Sequence, residues 1–185
     1  MTMIRYQQQL GITLIELLIT IAIVAILISV AAPNFAALAN DNRLTNQLNI
    51  LQSSIHLARS EAVSRNINVS LCSSDGNIPA GCAAPNNGVT GYNNGWLIID
   101  SNGTVLHQYP AIDPATTLNS AGNIITYNSR GIVTTPAMTI RHCDNRGVNF
   151  AIATNINAIG LVQLAIDTDT DNIVNDSANN NIVCP

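Results

Sequence analysis

The chain has 185 residues and a formal net charge of −4, with 10% charged side chains against 47% hydrophobic ones. That length holds one domain of ordinary size beside an apolar N-terminal run. Lysine is absent, so solubility falls to Asn, Thr and Ser. Past residue 66 the basic residues are Arg130, Arg141 and Arg146, against Asp75, Asp100, Asp113, Asp144, Asp167, Asp169, Asp171 and Asp176. This balance argues against a nucleic-acid surface, which needs a basic face.

From Ile12 to Ala32 an apolar stretch of about 21 residues is broken by Thr13, Glu16, Thr20 and Ser29. At ~1.5 Å per residue it reaches ~31 Å, enough to span a bilayer. A cleavable secretory signal would carry a basic leader and no acid at the head of its apolar core, whereas Arg5 is the one charge before Glu16. A plain anchor explains the length but not the glutamate. An ionised carboxylate in hydrocarbon costs at least ~2.5 kcal/mol unless it is paired, so Glu16 needs a partner. The nearest available cation is an α-amino group created by cleavage just before Ile12. Within one chain that amine sits at the helix's own positive end; a neighbouring chain displaced along the axis would bring its amine to Glu16 and set the stagger between subunits.

The order Gly11, Ile12, Thr13, Leu14, Ile15, Glu16, Leu17, Leu18, followed by an apolar helix and Pro33, resembles the class III signal of type IV pilins and pseudopilins. The resemblance implies that a prepilin peptidase cuts after Gly11 and methylates the amine of Ile12, with Glu16 as the assembly carboxylate. Ile12 stands where phenylalanine is commoner, and no basic residue lies close to the cut.

Pro33 removes a backbone donor and disfavours helix at Ala32, which predicts a helix break there, as a kink or local melting. The helical pattern then resumes. Leu44, Leu48, Leu51, Ile55, Ala58 and Ala62 form one apolar stripe running to about Ser64, an amphipathic continuation expected to pack on a sheet. After Asn66 the period changes to that of strands. Strands are predicted at Asn68–Cys72, Trp96–Asp100, Thr104–Tyr109, Ile124–Asn128, Ala137–Cys143, Phe150–Thr154 and Ile159–Ile166, with the second and third forming a hairpin. Ser73–Gly95, dense in Gly, Asn, Ser and Pro, reads as a long exposed loop. The predicted fold class is α+β: a long N-terminal helix, hydrophobic then amphipathic, packed on an antiparallel β-sheet head. The predicted divisions are a leader at 1–11, an assembly helix at 12–33, an amphipathic helix at 34–66 and a periplasmic head at 67–185.

Further along, "LARSEAVSRN" from Leu57, "VSLC" to Cys72, "GWLIID" from Gly95, "ITYNSRG" from Ile125 and "IRHCDNRG" from Ile140 resemble the FimT/FimU/GspH group of minor pilins and type II secretion pseudopilins. The resemblance implies a non-enzymatic subunit of a type IV pilus. It would sit in the bacterial inner membrane with a periplasmic head and then enter the fibre at or near its tip, helping to prime assembly. Its partners would be major and minor pilins and the prepilin peptidase. Two alternatives stand beside this reading: a GspH-like secretion pseudopilin, and a DNA-binding minor pilin for transformation. The second is disfavoured, because the place matching a Gly-Arg-x-Arg motif reads Gly160, Leu161, Val162, Gln163 and lacks both arginines.

Four cysteines suit two disulfides in an oxidising compartment, and no C-x-x-C pair suggests zinc. Three connectivities are open; the favoured one joins Cys72 to Cys82 and Cys143 to Cys184. Arg59 and Glu61 read either as contacts to neighbouring subunits or as a solvated face or local ion pair. Trp96, heading an apolar strand, reads as core. His56, His107 and His142 lack ligand spacing, and no nucleophile motif accompanies them. Asp167, Asp169 and Asp171 stand at positions 1, 3 and 5 of a calcium-type loop, with Asp176 as an irregular fourth ligand. Asn172 replaces the loop glycine, however, and a solvated turn is the stronger reading.

Overall fold

The computed structural model describes residues 12–77, 81–82 and 91–184. Its contacts divide the chain into two units, Met1–Asp41 and Asn42–Pro185. One helix, α1, is assigned from Leu14 to Arg65.

In the first unit Thr13 caps α1, its Oγ1 accepting the Glu16 N–H at 3.3 Å. Every side chain from Ile12 to Ala39 is exposed, and α1 is long and apolar enough to cross a membrane. The hydroxyls in this stretch turn back on the helix: Thr20 Oγ1 donates to the Leu17 carbonyl at 2.8 Å and Ser29 Oγ to that of Ile26 at 2.7 Å. An apolar surrounding offers no other acceptor, so this self-satisfaction removes their burial cost. The local melting expected at Pro33 does not appear, because α1 runs through it. One proline removes one N–H, while neighbouring turns keep theirs, and Asn34 Nδ2 adds a bond to the Val30 carbonyl at 3.0 Å.

Among the described residues the second unit holds eight strands, each paired antiparallel: β1 Val69–Ser73, β2 Trp96–Asp100, β3 Val105–Tyr109, β4 Thr116–Ser120, β5 Ile124–Tyr127, β6 Met138–Asp144, β7 Ile152–Ile156 and β8 Val162–Leu164. They form two sheets, ordered β3-β2-β1-β5 and β4-β6-β7-β8. The stripe Leu44, Leu48, Leu51, Ile55, Ala58 and Ala62 is buried. Its last four members share one core with Val69 and Leu71 of β1, Ile98 of β2, Ile125 and Tyr127 of β5, Leu118 of β4, and Met138 and Ile140 of β6. Both sheets therefore contribute to the core that contains the helix stripe. A smaller cluster, Cys143, Ala151, Ala153, Ala165 and Ile182, gathers around the second disulfide.

Three differences from the predicted strands have physical causes. Strand β4 was not predicted because Thr116–Ser120 carries one large apolar side chain, Leu118; its pairing with β6 and the bond from Leu118 N–H to Asn93 Oδ1 at 2.6 Å create the strand. Phe150 lies in a 3-10 turn, Val148–Phe150, with the Arg146 guanidinium 4.6 Å from its ring centroid, so β7 begins at Ile152. The run Ile159–Ile166 yields a strand of 3 residues.

α1 ends at Asn66, whose φ of 54° is left-handed, with Asn66 N–H bonded to the Val63 carbonyl and Ile67 N–H to that of Ala62. Four turns share one design: Asp100 to Thr104, Asn128 to Ile132, Asn157 to Leu161 and Asp176 to Asn180. In each, the first side chain's Oδ1 accepts the N–H groups two and four residues on. The fourth residue, Gly103, Gly131, Gly160 or Asn179, has positive φ, as a type I turn followed by a bulge requires.

Two of these glycines separate conformational strain from steric exclusion. A Cβ at Gly103 meets nothing within 4 Å, whereas one at Gly160 would lie 2.6 Å from Tyr127 Cε1. Gly103→Ala is expected to cost about 1 kcal/mol, and Gly160→Ala about 2 kcal/mol or more. Urea unfolding of the chain in detergent checks the order; equal losses would mean that Tyr127 simply moves aside.

Candidate assembly site

Thr13, Leu14, Ile15 and Glu16 satisfy two requirements at once. As a helix start they form the spacing of a capping box, threonine at the cap and glutamate at the third helical position. Thr13 fulfils its half through the Glu16 N–H. Glu16's carboxylate, by contrast, has no hydrogen bond or ion pair to any described residue, and it stands exposed in the first turn amid exposed Ile12, Leu14, Ile15, Leu17 and Leu18. The structure thus presents one anionic group on an otherwise apolar cylinder. Gly11 lies outside the described residues, and Ile12 is the first of them.

The cysteines form two disulfides, Cys72–Cys82 with Cα atoms 5.6 Å apart and Cys143–Cys184 at 5.8 Å. The first bonds β1 to the loop after it, part of which lies outside the described residues. The second fixes the C-terminal segment beside β6, where Arg141 Nη1 also donates to the Val183 carbonyl at 3.3 Å.

Asp167, Asp169 and Asp171 come together, with one carboxylate oxygen from each within 4.8 Å of the others, but Asp176 does not join them. Asp176 caps its own turn, accepting Ala178 and Asn180 N–H groups at 2.8 and 2.9 Å. Asp167 accepts the N–H groups of Asp169, Thr170 and Asn172, and Asp171 accepts that of Ile173. Desolvation pushes the Asp167 carboxyl upward, but those N–H groups outweigh it and hold the carboxyl below its ordinary range. Asp169 is raised, by desolvation first and then by its neighbours Asp167 and Asp171. Calcium takes six to eight oxygens, and this group gathers three carboxylates, two of which, Asp167 and Asp171, already accept N–H groups of their own loop.

Trp96 is 2% exposed, stacked 5.3 Å from Tyr109 and edge-on to Tyr92, which places it in the core. His142 is fully buried, while His56 and His107 are exposed. Sequence spacing does not bring Gly131 against Arg59. That neighbourhood arises because the turn containing Gly131 packs on α1, where a Cβ at Gly131 would lie 3.1 Å from Arg59 Nε.

Comparison with known proteins bears on both ends of this arrangement. A family model described as prokaryotic N-terminal methylation motif matches residues 6–32, and one described as Type II transport protein GspH matches residues 47–160. No curated protein matches the chain. Two crystal structures of the type IV minor pilin FimU from Pseudomonas aeruginosa, in different crystal forms, share the fold. One is 20% identical, with a TM-score of 0.54 over 68% of this chain and 90% of that one. The other is 19% identical, with a TM-score of 0.50 over 64% and 89%. With a methylation motif at residues 6–32 leading into an exposed apolar helix and the second model matching residues 47–160, more than half of the chain, the chain belongs to the family described as Type II transport protein GspH.

Proposed function

We propose that the chain is a minor pilin of a type IV pilus, a non-enzymatic subunit built in at or near the tip, where it helps to prime assembly. Before assembly it spans the bacterial inner membrane once, with its head in the periplasm. The head's two disulfides suit that oxidising compartment. The observation that carries the reading is the exposed carboxylate of Glu16, without a partner among the described residues, on an exposed apolar helix. In lipid the charge is a liability, and beside a neighbour's Ile12 amine it becomes a contact, so pairing favours the bundle over the membrane. Cleavage after Gly11 by a prepilin peptidase creates that amine. Residues 1–11 then act as leader, 12–33 as assembly helix, 34–66 as the helix packed in the head and 67–185 as the head itself.

A GspH-like role in a type II secretion system is the second reading, supported by the description of the family matched over residues 47–160. Nucleic acid is not a partner on this reading: Leu161, Val162 and Gln163 offer no cation, and the head is acidic. Fibres sheared from cells that make the chain test the proposal. Mass spectrometry should find it there beginning at Ile12 and one methyl group heavier than the bare sequence. Recovery in the membrane fraction alone, with residues 1–11 retained, would sink it.

A further inference from the structure

Arg59 leaves α1 toward two of the four related turns. Its Nη1 lies 3.5 Å from the Gly160 carbonyl, an oxygen that also accepts the Tyr127 hydroxyl at 3.3 Å. Gly131 and Gly160 are buried at this corner: a Cβ at Gly131 would lie 3.1 Å from both Arg59 Nε and Val63 Cγ2, and one at Gly160 3.3 Å from the Gly131 carbonyl oxygen. The helix and both turns therefore meet closely, and what they leave outside is specific. Val63, Ile132, Ile159 and Leu161 are exposed, the last three bracketing the two glycines. Arg130, beside Gly131, is exposed as well.

Three other arginines of the head are ion-paired, and Arg141 donates to the Val183 carbonyl. Arg43 pairs with Asp113, Arg65 with Glu61 and Arg146 with Asp144. Arg59 and Arg130 make no ion pair with any described residue, although the chain's net charge is −4. One half-buried arginine on the helix and one exposed arginine on the adjoining turn, among segments that also expose Val63, Ile132, Ile159 and Leu161, are a poor match for nucleic acid, which would want a longer basic track and stacking aromatics. They match a protein surface in which an acid is set among apolar groups, since arginine is a preferred anchor where water is excluded around it.

We propose that this corner, formed by Arg59, Arg130 and the two glycine turns, is a docking surface for a neighbouring fibre subunit that presents a carboxylate flanked by apolar side chains. The inference rests on the chain entering a fibre. Its orientation follows from the fold, because the Asn128 and Asn157 turns hold their tips against α1 through side-chain caps and need no partner to order them.

The test uses the full chain as sole copy in fibre-forming cells. Arg130→Glu and Ile159→Asp alter exposed side chains and leave the turn-capping N–H groups in place. Each should lower the amount of chain in sheared fibres at least fivefold, with the membrane level of disulfide-bonded chain unchanged, and Arg130→Lys should retain most incorporation. A photo-crosslinker at Ile159 should capture another pilin subunit. Wild-type incorporation of both variants overturns the proposal, as does salt-sensitive binding of double-stranded DNA that Arg130→Glu abolishes. Absence of the wild-type chain from fibres would instead defeat the assembly reading, so the two failures are distinguishable.

Discussion

Replacing Glu16 with alanine is expected to reduce the chain's entry into fibres by about a hundredfold, while the head folds and accumulates in the membrane as before. The estimate follows from two contributions of the same sign. The carboxylate costs at least ~2.5 kcal/mol in hydrocarbon, so its removal makes the lipid state more comfortable. The same change deletes the partner for a neighbour's amine, which makes the bundle less so. A shift of about 2.7 kcal/mol toward lipid is already a factor of about a hundred. Glutamine separates the two roles open to this position: a capping box accepts Gln as readily as Glu, whereas an ion pair does not. Glu16→Gln should therefore behave like Glu16→Ala. Immunoblots of sheared and membrane fractions read the result, and near-normal incorporation of the glutamine variant would reduce Glu16 to a helix cap.

Acid is expected to weaken the head well above the range in which carboxylates protonate. His142 lies on β6 between Leu118 of β4 and Ile152 of β7, fully buried, with neither ring nitrogen hydrogen-bonded. Burial pushes its pKa down to about 3 from an ordinary value of 6.5. A base with a lowered folded pKa contributes its full stability above the unfolded value and loses it as pH falls through 6.5 toward 3. At pH 4.5 the loss is about 2 to 3 kcal/mol. Asp75, Asp100 and Asp176, lowered chiefly by N–H groups of Asn77, Thr104 and Asn180, lose their contribution only below about pH 4, so the windows separate. His142→Leu, close in volume and without a titrating ring, should flatten the melting temperature between pH 6.5 and 4.5. An unchanged slope in that variant would assign the acid sensitivity to another group.

The parts of this molecule that depend on neighbours in sequence were readable from sequence. Leu44, Leu48, Leu51, Ile55, Ala58 and Ala62 are the apolar helix positions that the 3.6-residue period selects, and all of them are buried, with Ser54 beside them. The apolar helix with one glutamate was equally plain. What could not be read depends on distant partners or on surface apolarity. Strand β4 owes its existence to β6 and to Asn93, so its own five polar-leaning residues gave no period-2 signal. Ile159, Leu161, Leu164 and Ile166 are apolar and exposed, which made a turn and a short edge strand look like one long buried strand. Pro33 carried a real local preference, but a single missing donor did not outweigh the turns on either side. The Arg59 corner joins positions some 70 and 100 residues apart, beyond the reach of any spacing rule.

The bond between Cys143 and Cys184 closes a covalent ring with a sequence separation of 41, and β7, β8 and the acidic loop lie inside it. Tension applied along the chain would pass through the sulfur bridge and bypass that ring, withholding about 140 Å of contour length from extension. Under load the head would yield first in the strands before Cys143, and a protease nick inside the ring would leave both pieces attached.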